Sequence, residues 1–318
     1  MATQTYAGLT NEQRTFYIGT LIKRLIPYLP LITDAQKRTI PQHMGTVAQF
    51  RKYGILSLAT SALTEGTTPA GNSLAVTTVT ATVAQYGDFI AVSDLLQVAG
   101  IDDNVVEATE VLGEQAGQTI HRLMVTELGS GSTVRYASTA VSRVTVAAGM
   151  NLVVREIRLA VRDLEKANVP KFKDGTYHGA VSPSQKFDLV GDPAFQDLYR
   201  YINSTVLQQN EIGTVYGARF FETTDIPIFT GAGAAGVDVH AAVLYGPDAY
   251  GALDLARMAV GSINSETNKG VQVFVTGLDV EAKSDPLHQR AYVGWKVAFA
   301  AKTIDALRID RIETAVTG

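Results

Sequence analysis

The run DDNVVEATEVLGEQAGQTIHRLMVTEL, residues 102–128, decides how the rest of the chain is read. Its apolar residues Val105, Ala108, Leu112, Ala116, Ile120, Leu123 and Leu128 recur every three to five positions, the spacing of one buried helix face. Asn104 with Glu107 has the form of a capping box, and Gly129 supplies a left-handed stop. At ~1.5 Å per residue such a helix is about 40 Å long, longer than most helices of globular domains. A rod of that length suits the backbone of a flat, extended subunit.

Immediately upstream the period changes from helical to extended. Leu74 to Tyr86 reads LAVTTVTATVAQY, with Val76, Thr78, Thr80 and Thr82 on one face and Thr77, Val79, Ala81 and Val83 on the other. Ile55 to Leu63 is the expected antiparallel partner, and TEGTTPAGN, with Pro69 and Gly71, is the loop between them. A two-stranded ribbon is marginal in water, so its own domain or a neighbouring subunit should cover it. Further back, residues 10–26 read as a helix with Phe16, Leu21, Ile22, Leu25 and Ile26 on one side. Pro27, Pro30 and Pro41 then punctuate an irregular stretch holding Tyr28, Leu29, Leu31 and Ile32. So apolar an arm must lie against its own domain or cross to a neighbour.

Downstream, STVRYAS and Val141 to Val146 read as short strands, and Val154, Ile157, Val161 and Leu164 define a second helix that ends before Pro170. Tyr177 to Val181 is a strand, and Ser182-Pro183-Ser184-Gln185 is a capping box opening a third helix with Phe187, Leu189 and Val190. Strands are expected at Ala218 to Thr223, Ile226 to Phe229 and Ala241 to Leu244, with a short helix from Pro247 to Leu255. Val271 to Thr276, Leu278 to Ala282, Arg290 to Ala300 and Leu307 to Ile312 are expected to close the chain as one antiparallel sheet.

Composition narrows the function classes. The 318 residues are 46% hydrophobic and only 18% charged, the balance of a subunit that buries surface against neighbours. Cysteine is absent, which excludes disulfides, thiolate metal sites and a cysteine nucleophile. MATQTYAGLT lacks the basic start and apolar core of a secretion signal, and threonines, Pro69, Gly71 and Asn72 break the uncharged run from Gly66 to Gly87, so no membrane span is expected. Charge is lopsided although the total is −4: residues 1–52 carry seven basic against two acidic residues, net +5, while residues 53–121 hold eight acids and no Lys or Arg. Such blocks are built for contact between segments or between copies.

No catalytic constellation emerges. His43, His121, His178, His240 and His288 are scattered without metal-ligand spacing, and surface or interface positions are expected for them. GAGAAG at 231–236 lacks the Lys-Ser or Lys-Thr of a phosphate loop and reads as a mobile loop. Asp102 and Asp103 suit the positive end of a helix dipole better than paired catalytic acids. Lys166, Lys171 and Lys173 flank a solvated turn, and GxSxG is absent.

The order of proline-broken arm, ribbon, long helix, mixed α/β region and closing strands resembles the major capsid protein of tailed bacteriophages with the Hong Kong 97-like coat fold. The closest likeness is to the subgroup typified by the coat protein of coliphage N-four. Arg51 with Tyr53-Gly54, Ala59-Thr60, Leu63-Thr64-Glu65-Gly66, Pro69, Gln85-Tyr86-Gly87 and Asp94 carry the resemblance in the first third. Ser182-Pro183-Ser184-Gln185 with Asp188-Leu189, Glu211-Ile212-Gly213 with Gly217, Arg219-Phe220, Glu222-Thr223, Pro286-Leu287 and Gly294-Trp295-Lys296 carry it through the rest.

The resemblance implies an α+β fold: an N-terminal arm over 1–50, an extended loop over 51–95 that overlaps a neighbour, and a peripheral domain with its spine helix over 96–148. An axial domain over 149–261 and a return to the peripheral domain over 262–318 complete the layout. It implies a structural protein of the virion, assembled in the host cytoplasm through hexamers and pentamers into an icosahedral head. Scaffolding protein, portal and a decoration protein are the expected partners, with packaged double-stranded DNA bound non-specifically and no membrane or cofactor. Phe16, Leu25, Tyr28, Lys37, Arg38, Glu65, Pro69, Val79, Val83, Glu107 and Glu110 are the expected interface residues. Lys23, Arg24, Lys37 and Arg38 are candidates to pair with the acidic block on the same or an adjacent subunit, or to face DNA. The alternatives are an encapsulin-like compartment shell and an oligomeric cytoplasmic enzyme.

Overall fold

The computed structural model describes residues 20, 21, 24, 30–41, 43–54, 56–60, 62, 65, 66, 68, 71–93, 95, 96, 104–131, 133–196, 211–255, 272–276 and 289–317. A short helix α1 (Pro30–Asp34) leads into strand β1 (Gln36–Ile40), followed by β2 (Val47–Tyr53), β3 (Val76–Thr82), β4 (Ala84–Ser93) and the long helix α2 (Asn104–Gly129). After β5 (Val134–Tyr136) come α3 (Val154–Lys166), β6 (Tyr177–Val181) and α4 (Pro183–Gly191). Strands β7 (Glu211–Val215), β8 (Ala218–Glu222), β9 (Ile228–Phe229), β10 (Val239–Tyr245), β11 (Tyr250–Leu255), β12 (Gln272–Thr276), β13 (Arg290–Thr303) and β14 (Ile309–Thr314) follow.

The first sheet is built around β13. Ten of its 14 residues pair antiparallel with β4 along one edge, Arg290 with Ser93 through Phe299 with Ala84. The other edge is shared by β12, through Tyr292–Lys296, and β11, through Phe299–Thr303. β1 then adds in parallel to β11 and brings the start of the chain into the same sheet. The second sheet has seven strands in the order β5, β14, β10, β6, β8, β7, with β9 on β10. β2 and β3 form a separate ribbon, with Phe50 opposite Val79.

Helix α2 lies on the first sheet because its apolar face meets the inward residues of β13. Val105, Ala108, Leu112, Ala116, Ile120 and Leu128 are buried as the period requires, in one core with Val293, Trp295, Val297 and Phe299. Leu123 is only half-buried, and Met124 and Val125 take the interior instead. Polar bonds fix the helix in place: Trp295 Nε1 donates to Gln115 Oε1 at 3.0 Å, Gln115 Nε2 to Asp88 Oδ2 at 2.7 Å, and Lys302 Nζ to Glu127 Oε1 at 2.8 Å. Both helix ends differ from expectation. Asn104 is already helical and its amide donates to Leu96 O at 3.4 Å, so it is no cap. Gly129 is not left-handed; a Cβ there would meet Pro227 at 2.5 Å, so close packing demands the glycine.

A second core lies between α3 and the seven-stranded sheet, where Ile157, Ala160, Val161 and Leu164 meet Tyr177, Phe220, Leu244 and Ile312. Helix α3 is capped from a distance, by Asp192 Oδ2 accepting from Val154 N at 2.8 Å. Helix α4 has the expected box: Ser182 Oγ accepts from Gln185 N at 3.2 Å, with Pro183 in the first turn. Leu189 is buried, whereas Phe187 and Val190 are exposed.

Several expectations are corrected. The ribbon partner of β3 is β2, not Ile55 to Leu63, and none of the described residues from 54 to 75 is in a strand. Leu31 and Ile32 sit in α1, and Lys37 and Arg38 in a strand, where an irregular stretch was expected. Arg143–Thr145 is a 3-10 turn between Val141 and Val146, held by Thr145 Oγ1 accepting from Val141 N and Ser142 N at 3.1 Å. Pro247 to Leu255 contains β11 instead of a helix, because that segment fills the gap between β1 and β13. The closing strands divide: β12 and β13 join the first sheet, while β14 joins the second between β5 and β10. β7 was not anticipated. The 231–236 loop is tied down, by Gly231 N donating to Asp238 Oδ1 at 2.6 Å and Ala234 N to Val146 O at 2.8 Å. Most of the expected 10–26 helix, Asp102, Asp103 and Leu278 to Ala282 lie outside the described residues.

Candidate functional site

The ribbon has a buried root and an open tip. At the root, Phe50, Ala81 and Val83 join Ile40, Leu253 and Ala298 in a small core of their own. Phe50 fits because its partner on the sheet is Gly251, where a Cβ would fall 2.5 Å from the ring. Arg38 covers the same ring at 5.1 Å and donates from Nη1 to Gln49 O at 3.1 Å. Lys52 pairs with Asp305 at 2.6 Å across a cleft of about 510 Å³ that also takes in Tyr53, Asn168 and Arg308. Beyond Tyr53 the character reverses. Gly54 N donates to Ala75 O at 2.8 Å and continues the ladder by one step, and every described residue from 53 to 62 and from 71 to 78 is exposed. Leu56, Leu58, Leu74 and Val76 are 49%, 87%, 59% and 48% exposed, so an apolar tip stands uncovered among the described residues.

Leu21 and Arg24 bind the arm to the long helix. Leu21 is fully buried beside Gly113, where a Cβ would meet Leu21 O at 2.6 Å. Three residues on, Arg24 reaches Glu110, with Nε at 3.0 Å and Nη2 at 2.5 Å from Oε2, and the carboxylates of Glu110, Glu114 and Glu107 hold its proton more firmly. The basic arm therefore does meet the acidic helix, within one chain and through Arg24. Lys37 and Arg38 do not take part: Lys37 lies half-buried in β1 and Arg38 serves the ribbon root. Glu107 is exposed and Glu65 sits exposed in the tip turn. Val79 is half-buried and Val83 buried by its own chain. Phe16, Leu25, Tyr28 and Pro69 lie outside the described residues.

Histidines are mostly interior rather than superficial. His121 Nε2 contacts Thr223 Oγ1 at 2.7 Å, and burial lowers its pKa. His240 Nδ1 contacts Ser182 Oγ at 2.9 Å and is lowered by burial as well. His178 bridges two carboxylates, Asp174 four residues before it and Asp34, which is too far away in sequence to be anticipated. Only His43 is exposed among the described histidines. Buried charge is matched elsewhere too: fully buried Glu313 accepts from Arg143 Nε at 2.8 Å and Nη2 at 2.7 Å, and Arg311 Nε lies 3.0 Å away. Among the described residues no three His, Asp or Glu gather to hold a metal, and no helix is long and apolar enough to cross a membrane.

Comparison with known proteins gives this surface a context. Residues 75–306 match the model of the family described as phage capsid protein. The fold is similar to that of the capsid asymmetric unit of cyanophage Pam1, with a TM-score of 0.68 at 15% identity over 100% of this chain and 98% of that one. It is similar to the capsid of Ralstonia phage GP4 with a TM-score of 0.68 at 13% identity, over 89% and 87% of the two chains. A virus-like particle from Pyrococcus furiosus gives 0.54 at 10% identity, over 93% and 97%. No curated protein matches at the sequence level.

Proposed function

The chain belongs to the phage capsid protein family, and on that premise we propose that it closes through hexamers and pentamers into an icosahedral head around double-stranded DNA. It is a structural protein of the virion and not an enzyme. The family match carries the reading, since it takes in β3, β4, the long helix and most of both sheets. The N-four-type subgroup is the narrower assignment, on the sequence motifs named above. Residues 1–50 then serve as arm, 51–95 as extended loop, 96–148 and 262–318 as peripheral domain and 149–261 as axial domain.

Within this reading the interface lies at the ribbon tip rather than its root. Leu56, Leu58, Leu74 and Val76, with Glu65 and Pro69 in the intervening loop, are offered to a neighbouring subunit, whose cover removes their apolar surface from water. Scaffolding, portal and decoration proteins complete the set of partners. Sedimentation and electron micrographs of the full-length protein, with and without a candidate scaffolding protein, test the proposal. Capsomers or closed shells are the expected products; a small defined oligomer under every condition overturns it.

A further inference from the structure

We propose that Asp34, His178 and Asp174 form a proton-operated latch, in which the imidazolium of His178 clasps the arm segment of α1 to the turn before β6, and loss of its proton lets that segment open. The geometry is specific. His178 Nδ1 lies 2.7 Å from Asp34 Oδ2, and His178 Nε2 lies 2.8 Å from Asp174 Oδ2. An imidazolium donates from both nitrogens and satisfies both carboxylates. A neutral ring has one donor, so whichever tautomer forms, a ring lone pair faces a carboxylate oxygen at hydrogen-bond distance and one clasp is lost. Phe172, stacked on the imidazole at 4.1 Å, keeps the ring from turning away from either acid.

The surroundings favour the charged ring and decide which side yields. From the turn, Thr176 N donates to Asp174 Oδ1 at 3.0 Å, and from β8 Arg219 Nη1 lies 3.6 Å from Asp174 Oδ2, so that carboxylate is held without His178. From β10, Tyr245 OH donates to Asp34 Oδ2 at 3.0 Å, while Tyr250 OH of β11 donates to Leu31 O at 2.5 Å. Burial and the nearby acid keep both phenols protonated. Lys37, further along the arm, adds an attractive charge for Asp34. Asp34 is the partner carried on a separate segment, so the arm is the side that opens. Burial alone would push the His178 pKa down, but the bonds to Asp34 and Asp174 outweigh it and raise the value above that of a free imidazole. The latch is therefore shut below the ordinary imidazole range and opens as pH rises through the raised value.

The latch lies within one chain, so its test stands whether or not shells form. His178 is titrated by imidazole NMR in the full-length protein, alongside hydrogen exchange of residues 30–40 corrected for intrinsic rates, from about pH 5 to about pH 9. Protection of 30–40 is expected to fall roughly tenfold or more as His178 deprotonates, the worth of a charge-assisted hydrogen bond, while residues 239–245 keep theirs. His178→Gln should abolish the step and hold 30–40 at the open level throughout. Unchanged wild-type protection across the observed titration overturns the latch, as does a step that survives in His178→Gln. Should the variant fail to fold, the wild-type titration decides alone.

Discussion

Asp310 shows what burial does to one carboxyl. Its side chain is buried in β14, with Arg135 Nε the nearby cation at 3.6 Å, and burial raises its pKa to about 6 despite that charge. A raised value favours the protonated folded state, so the contribution is full below the ordinary carboxyl range and lost as pH rises through about 6. The amount is about 3 kcal/mol on the usual conversion. Asp310→Asn should remove that dependence: the stability difference from wild type, read from urea unfolding, is expected to shift steadily between about pH 4 and about pH 6 and then level off. A constant difference across the window would show that Asp310 ionises freely in the fold. Arg24 stands at the other extreme, exposed and paired with Glu110. Arg24→Glu should leave the unfolding midpoint alone yet loosen the arm in hydrogen exchange at low salt, and adding Glu110→Arg should restore it. Loosening that persists unchanged at high salt would point to packing rather than charge.

At the level of elements the long helix is the test of the hydrophobic period. Leu112 is buried under the first sheet while Val111, one residue away, is 59% exposed. Leu112→Ala should cost about 2 to 5 kcal/mol, and Val111→Ala should stay within about 0.5 kcal/mol of wild type, both measured by urea unfolding of the subunit. Equal losses at the two positions would mean that the helix is seated on a different face. What could be read from the chain was what is local: this helix, α3, β6 and the Ser182 cap all rest on spacing within one segment. What could not be read was pairing at a distance. Pro247 to Leu255 reads as a short helix, yet Tyr250 to Leu255 is a strand because β1 and β13 flank it and Phe50 needs Gly251. The partner of β3 and the division of the closing strands were hidden for the same reason. The opposed charge blocks were legible and do meet, but of the three described basic candidates only Arg24 makes the contact, and Lys23 lies outside the described residues. Asp174 and His178 stand four residues apart, but nothing in the sequence joins Asp34 to them, and only the fold brings it there.

For the whole molecule the decisive surface is the part its own fold leaves uncovered. Deleting residues 66–72 removes the tip turn and spares Phe50, Ala81 and Val83 at the root. The subunit should keep its unfolding midpoint and lose the ability to form closed shells, as judged by sedimentation and electron micrographs. Normal shells from that deletion would place the contact between copies elsewhere.

The layout of β13 also has a mechanical side. β3 runs into β4 with Val83 as the single residue between them, and β4 is laced to β13 over ten matched positions from Ser93 to Ala84. A pull on the ribbon is thus delivered lengthwise along β4, so the rungs are loaded in shear and share the tension instead of unzipping one by one. Since β11 and β12 grip the opposite edge of the same strand and β1 rides on β11, the load spreads into the body and the arm together. Were the ribbon tip held by a neighbour as proposed, β13 would be the tie-beam through which subunits of a shell stretched from within haul on one another.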